Sequence, residues 1–298
     1  MHSLVLGPGA LGLLFAARLA ALGEVTLIGR DSHQGPFKGE VRWSDGSSTP
    51  MTLPRIGPDQ TLPDPVSLLM VTTKAQHSLE ALRPLLPTVP ATVPVVLCQN
   101  GMGSQQAVAD AFPQRPILAA TTTEGANRSG PGRVVHAGAG ETWLGPLTDS
   151  AGEQAPWLAD RLREAGFEAS ACRNIQERLW QKLAVNAGIN PFTALLDVPN
   201  GQLPRSAFFR ERIGPLCREI SAVAREEGFV MTPEALETRI LAVCHSTSEN
   251  ISSMLQDIRA GKPSEIDFIN GYIVRRAQAL GIATPVNREL VSGVMDLL

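Results

Sequence analysis

The chain has 298 residues, 43% of them hydrophobic and 18% charged, with a formal net charge of −3. The length suggests two domains, and the composition excludes a disordered chain. The near-neutral balance points away from a nucleic-acid or anionic-membrane surface.

In chain order, SLVLG (3–7) reads as a strand, ALGLLFAARLAALG (10–23) as a helix ending at Gly23, and EVTLIGR (24–30) as a second strand. VRWSDGSSTPMTL, with its Gly/Ser-rich centre, suggests a hairpin. VSLLMVTTK (66–74), TVPVVLCQNG (92–101) and PILAATTTEG (116–125) read as further strands. GRVVHAGAGETWLGPL (132–147) looks like another hairpin that extends the sheet, and SAGEQAP (150–156) opens a helical stretch. Continuous apolar strands alternating with helices indicate a parallel sheet covered on both faces. From about 174 the pattern is helical, with helices expected near 174–190, 206–228, 233–259 and 264–280 and breaks at PNGQLP and AGKP. The domain boundary is placed near 168–174. The fold class is therefore α/β, an amino-terminal Rossmann-type doubly wound sheet over 1–170 followed by an all-α domain over 171–298.

The amino-terminal run is apolar, but it has no basic leader beyond His2 and a glycine-rich turn splits it, so it is not read as a signal peptide. No apolar run elsewhere is long enough for a membrane span. Cys98, Cys172, Cys217 and Cys244 form no C-x-x-C pair, and the five histidines are scattered. Neither a disulfide framework nor a metal site is expected, and a cytoplasmic location is.

Gly7, Pro8, Gly9, Ala10, Leu11 and Gly12 fit G-x-G-x-x-G between a strand and a helix, the context that gives this motif its meaning. Gly7 permits the tight turn, Gly9 lets the backbone approach a pyrophosphate, and Gly12 allows close helix–strand packing. The helix N-terminus then offers N–H groups and partial positive charge to phosphates. An acidic residue at the end of the second strand suits the ribose of NAD, and an arginine suits the extra phosphate of NADP. Arg30 occupies that end, which favours NADP; Asp31 after it could bind a ribose or cap the next turn.

Ligands of open parallel sheets bind beyond the carboxyl ends of the strands. Lys74 and Asn100 lie at two such ends. Lys74 could meet an acidic group or be a solvated loop charge. Asn100 could bind a carboxylate, hydroxyl or nicotinamide amide, or be a turn former ahead of Gly101.

Lys182, Asn186 and Asn190 recur every four residues in an otherwise apolar helical stretch, so they share one face. Pro191 is expected to end or kink that helix. The row is either a solvated stripe or the lining of a cleft. Asparagine is a poor helix former, so two on one face sacrifice propensity without obvious gain. Ser264 and Asp267 suggest a capping box with Glu265 in the first helical turn, where acids favour the macrodipole. Ser253 could be a small packing residue.

The blocks GPGALG, CQNGMG, KLAVNAGINPFTAL and ENISSMLQDIRAGKPSEIDFINGY resemble the ketopantoate reductase (2-dehydropantoate 2-reductase) family, and the resemblance spans essentially the whole chain. It implies an NADPH-binding Rossmann domain, a helical domain, and reduction of 2-dehydropantoate to (R)-pantoate in the cleft between them. By position it implies cofactor binding by residues 7–12, Arg30, Lys74, Asn100, Ala126 and Glu265. It implies substrate binding by Asn100, Lys182, Asn186, Asn190, Asn200 and Ser253. Lys182 aligns with the family's catalytic lysine, and Glu265 with the acid that contacts cofactor and orders the site. The implied partners are the cofactor and substrate alone, with the protein a monomer or homodimer.

Overall fold

The computed structural model describes residues 1–30 and 35–298; Asp31 lies outside them. The chain clusters into two compact units, Met1–Gln99 with Ser104–Ile175, and Asn100–Gly103 with Gln176–Leu298.

The first unit runs β1 (His2–Leu6), α1 (Ala10–Leu19), β2 (Glu24–Ile28), β3 (Phe37–Arg42), β4 (Ser48–Leu53), β5 (Arg55–Ile56), β6 (Leu68–Val71), α2 (Ser78–Leu85) and β7 (Val95–Leu97). It continues through α3 (Ser104–Ala111), β8 (Ile117–Thr122), β9 (Gly125–Gly130), β10 (Arg133–Gly138), β11 (Glu141–Pro146), α4 (Gln154–Glu164) and β12 (Glu168–Ala171). Eight strands form one sheet in the order β12-β11-β8-β7-β6-β1-β2-β5. All pairs from β8 to β5 are parallel, while β11 runs antiparallel to β8. Strands β6, β7 and β8 are buried at every position because both faces are covered. One face carries Val5, Leu27, Met70, Val96 and Leu118 with residues of α1 and α4. The other carries Leu4, Leu69, Val95 and Ile117 with Leu82, Leu85 and Val108 of α2 and α3.

Strands 132–147 do not form the expected hairpin. β10 joins a second, four-stranded sheet of order β4-β3-β10-β9, whereas β11 enters the large sheet between β8 and β12. The hairpin partner of β10 is β9, which begins one turn after the expected 116–125 strand has ended at Thr122. At the crossing, a Cβ on Gly140 would lie 2.3 Å from the Thr123 carbonyl carbon, so the two sheets part where backbones touch. The hairpin expected around 41–53 is present as β3 and β4.

The second unit is helical, with α5 (Ile175–Leu196), α6 (Ala207–Glu226), α7 (Pro233–Ser246), α8 (Ser253–Arg259), α9 (Asn270–Leu280) and α10 (Pro285–Met295). Short 3₁₀ turns occupy Asn200–Arg205 and Ile266–Phe268. The 233–259 stretch is two helices rather than one. Thr232 caps α7 by accepting from the Ala235 N–H, and Ser252 caps α8 by accepting from the Leu255 N–H. The capping box at Ser264 is not formed. The Ser264 hydroxyl accepts from the Ile266 N–H, the chain makes only a 3₁₀ turn, and α9 begins at Asn270. The turn is diverted because the Phe268 carbonyl accepts from the Met102 N–H, a partner outside any helix ladder. Pro191 does not end α5, which continues to Leu196. α10 lies beyond the last helix expected from the sequence pattern, and Thr284-Pro285 carries its start signal, with proline at the first position.

Candidate functional site

In the first unit, the glycine motif sits between the ends of β1, β2 and β6. The chain passes from β1 through α1 to β2 on one side and reaches β6 on the other, so this is the switch point of the sheet, where such folds bind ligands. The Gly7 N–H donates to the Ile28 carbonyl, and the Thr72 hydroxyl donates to the Gly7 carbonyl at 2.7 Å. Gly7 has φ +88, and a Cβ there would lie 2.7 Å from the Thr73 nitrogen. A Cβ on Gly12 would meet the Thr72 hydroxyl at 2.4 Å and the Gly7 carbonyl oxygen at 2.6 Å. The loop is thus pressed onto Thr72-Thr73, and Lys74, the next residue, is half-buried at the start of a short 3₁₀ turn.

Gly9 differs. It is exposed, and among the described residues only the Gly7 carbonyl oxygen comes near its absent Cβ, at 3.9 Å. Among the described residues no side chain caps the N-terminus of α1, whose first turn opens with Ala10 and half-buried Leu11. An accessible backbone before an uncapped helix start fits a pyrophosphate. The Pro8 ring lies 3.7 Å from the absent Cβ of Gly29, which places exposed Arg30 one residue beyond the loop's flank.

Ala126 is half-buried on β9, opposite His136, and packs against the core. Two residues on, the Arg128 guanidinium donates to the Pro8 carbonyl at 2.7 Å. Residues two apart share a strand face, so Ala126 and Arg128 are presented together. Sequence reasoning passed over Arg128; its place two residues after Ala126 was the available signal.

In the second unit, Lys182, Asn186 and Asn190 lie on one uninterrupted helix and therefore on one face, spanning about 12 Å at 1.5 Å per residue. Lys182 and Asn186 are half-buried and Asn190 is buried, so the row is not a fully solvated stripe. The opposite side packs through Trp180, whose ring meets Phe229 and Tyr272. The Asn190 turn is tied to α8: the Thr193 hydroxyl donates to the Asn190 carbonyl and lies 2.7 Å from the Ser252 hydroxyl. Ser253, next in chain, opens α8 and is exposed, so it is not a packing residue. Asn200 joins the segment leading to it. Its N–H donates to the Asn250 carbonyl and its side-chain amide to the Thr247 hydroxyl, while its Oδ1 has no protein partner among the described residues.

Asn100 and Glu265 also meet: the Asn100 amide donates to the buried Glu265 carboxylate at 3.2 Å. Gly101 makes this approach possible. Its φ is +77, and a Cβ would lie 2.2 Å from the Phe268 carbonyl oxygen. Glu265 precedes a 3₁₀ turn rather than sitting inside a first helical turn. Two cysteines are chemically quiet: burial pushes the Cys217 thiol up to about 12 and the Cys244 thiol up to about 11. No helix among the described residues is long and apolar enough to cross a membrane.

Residues 3–149 match the family model described as Ketopantoate reductase PanE/ApbA, and residues 174–297 match Ketopantoate reductase PanE/ApbA C terminal. The 2-dehydropantoate 2-reductase of Shigella flexneri is 38% identical over 290 residues, covering 97% of this chain and 93% of that protein. Among solved structures, a ketopantoate reductase of Ralstonia eutropha JMP134 is 28% identical with a TM-score of 0.88, over 100% of this chain and 98% of that one. D-mandelate dehydrogenase with NADH and anilino(oxo)acetate is 26% identical with a TM-score of 0.90, over the same shares.

Proposed function

The chain belongs to the ketopantoate reductase family, and from that premise we propose that it reduces 2-dehydropantoate to (R)-pantoate with NADPH, in the cytoplasm, on the route to pantothenate and coenzyme A. The observation that carries the proposal is the row of Lys182, Asn186 and Asn190 on one unbroken, partly buried helical face.

In this reading residues 1–170 hold the cofactor and residues 171–298 the substrate and the proton donor. The glycine loop, Lys74, Asn100, Ala126 and Glu265 bind the cofactor, and Arg30 selects NADPH through its extra phosphate. When bound, NADPH supplies the hydride that reduces the C2 carbonyl. Protonated Lys182 stabilises the negative charge developing on the carbonyl oxygen and then donates its proton to that oxygen. Asn186 and Asn190 hold the hydroxyl end of the substrate, assisted by Asn100, Asn200 and Ser253. Glu265 orients the Asn100 amide through their hydrogen bond. A 2-oxo acid without the hydroxyl leaves buried amides unpaired and is discriminated against. That selectivity separates this reading from reduction of a different 2-oxo or 3-oxo acid by the same architecture.

The test is NADPH oxidation with 2-dehydropantoate, beside NADH and beside 2-oxo acids lacking the hydroxyl. Lys182→Ala is expected to lower turnover about 10²–10⁴-fold, the usual worth of a general acid. Near-parental turnover in that variant, or equal use of unhydroxylated acids, refutes the assignment.

A further inference from the structure

Pro191 sits inside α5 and has no N–H, so the Ala187 carbonyl four residues earlier loses its helical donor. That carbonyl is not left orphaned. The side-chain amide of Asn270, the first residue of α9, donates to it at 3.2 Å, and Asn270 is completely buried. The same Nδ2 donates to the Asn287 Oδ1 at 3.1 Å. Asn287 in turn donates its side-chain amide to the Glu219 carboxylate at 2.8 Å. Glu219, buried on α6, also accepts from the backbone N–H groups of Val286 and Asn287, at 2.8 and 3.0 Å, and so caps α10 from another helix.

The direction of this chain is set from its acidic end. A carboxylate only accepts, so Asn287 must turn its NH₂ toward Glu219 and its oxygen toward Asn270. Asn270 must then present its NH₂, which is the group the Ala187 carbonyl needs. Three helices, α6, α9 and α10, are thus linked to the Ala187 carbonyl of α5.

The missing N–H donor falls within the proposed substrate row. Lys182 and Asn186 precede the Ala187 carbonyl, while Asn190 follows it and is tied onward to α8 through Thr193 and Ser252. We propose that Asn270 is a positioning residue for substrate: it supplies the hydrogen bond that Pro191 removes and so fixes Asn190 and the α8 start relative to Lys182 and Asn186, with Glu219 and Asn287 setting its orientation. The inference rests on the substrate-holding role of the row given above.

The test uses the full-length protein. Asn270→Ala is expected to lower kcat/KM for 2-dehydropantoate about tenfold, mostly through KM, because a buried carbonyl is left unpaired and the helix bends there. NADPH affinity, read by titration calorimetry, stays within about twofold, as a defect confined to this buried network predicts. Pro191→Ala returns an N–H to the Ala187 carbonyl, so Asn270→Ala with Pro191→Ala regains most of the lost kcat/KM. Glu219→Gln, which lets the chain of amides reverse, reproduces the Asn270→Ala defect. If Asn270→Ala does not fold, Asn270→Ser, whose hydroxyl is too short to reach, replaces it in the same cycle. Unchanged kcat/KM, or a loss that Pro191→Ala does not relieve, overturns the proposal. Asn186→Ala and Asn190→Ala run alongside: if neither raises KM, the substrate-holding reading fails, while rescue of thermal stability by Pro191→Ala still reports the hydrogen bond itself.

Discussion

Replacing Gly101 with alanine probes the junction between Asn100 and Glu265. Gly101 has φ +77, and the new Cβ would lie 2.2 Å from the Phe268 carbonyl oxygen and 2.6 Å from its carbon. Both are backbone atoms, so no side chain can swing aside. Left-handed backbone costs a non-glycine residue about 1–2 kcal/mol. Relieving the clash moves the loop off Phe268 and breaks the Met102 N–H bond to its carbonyl, 2.8 Å in the native chain and worth about 0.5–1.5 kcal/mol. The Asn100 bond to the Glu265 carboxylate is charge-assisted and adds about 1.5–3 kcal/mol. The strain and the two lost bonds together cost about 3–6.5 kcal/mol. Gly46→Ala is the reference, since Gly46 has φ +86 but no atom of the described residues within 4 Å of its absent Cβ, leaving strain alone at about 1–2 kcal/mol. Urea unfolding measures both variants, and calorimetric titration with NADPH measures the site. Gly101→Ala should exceed Gly46→Ala by at least about 2 kcal/mol and weaken NADPH binding. Equal losses in the two variants with parental NADPH affinity would falsify the idea that this loop locks Asn100 onto Glu265.

Arg128→Ala removes the guanidinium that donates to the Pro8 carbonyl and should raise the Kd for NADPH about 2–10-fold, with little change in melting temperature; unchanged binding shows that the loop holds itself. Stability should also fall on the alkaline side. The folded pKa values of Cys217 and Cys244, about 12 and about 11, stand above the unfolded value of 9.0, so their stabilisation is complete below pH 9 and is lost as pH rises from there through the folded values. Each thiol then contributes a slope of about 1.4 kcal/mol per pH unit, or about 2–3 kcal/mol together by pH 10. Urea melts at pH 8 and pH 10 should reveal it, and Cys217→Ala should halve the drop; an unaltered drop assigns it to other groups.

Periodicity and local stereochemistry made much of this protein legible. A strand, a glycine turn and a helix in succession marked the loop at residues 7–12, because each feature depends on neighbours in sequence. Spacing by four put Lys182, Asn186 and Asn190 on one face, and the continuous α5 keeps them there. Where local signals competed with distant partners, the reading failed. Pro191 locally ends or kinks a helix, but an amide 83 residues from Ala187 donates to its carbonyl, and the helix does not end there. Ser264 and Asp267 locally make a capping box, but the Phe268 carbonyl is claimed by Met102 and the helix starts later. Two adjacent strands locally make a hairpin, but β11 gains partners on both edges in the large sheet, while β10 finds β3 and β9 elsewhere.

What the amino-acid sequence determined by itself was therefore the set of chemical groups and the face or turn on which each is displayed. Which groups meet was decided by the tertiary structure alone. Asn100 finds Glu265 across 165 residues, Arg128 finds Pro8 across 120, and Asn287 finds Glu219 across 68. Hydrogen bonds have a reach of about 3 Å and depend on donor direction, whereas periodic patterns carry information over only a few turns of chain.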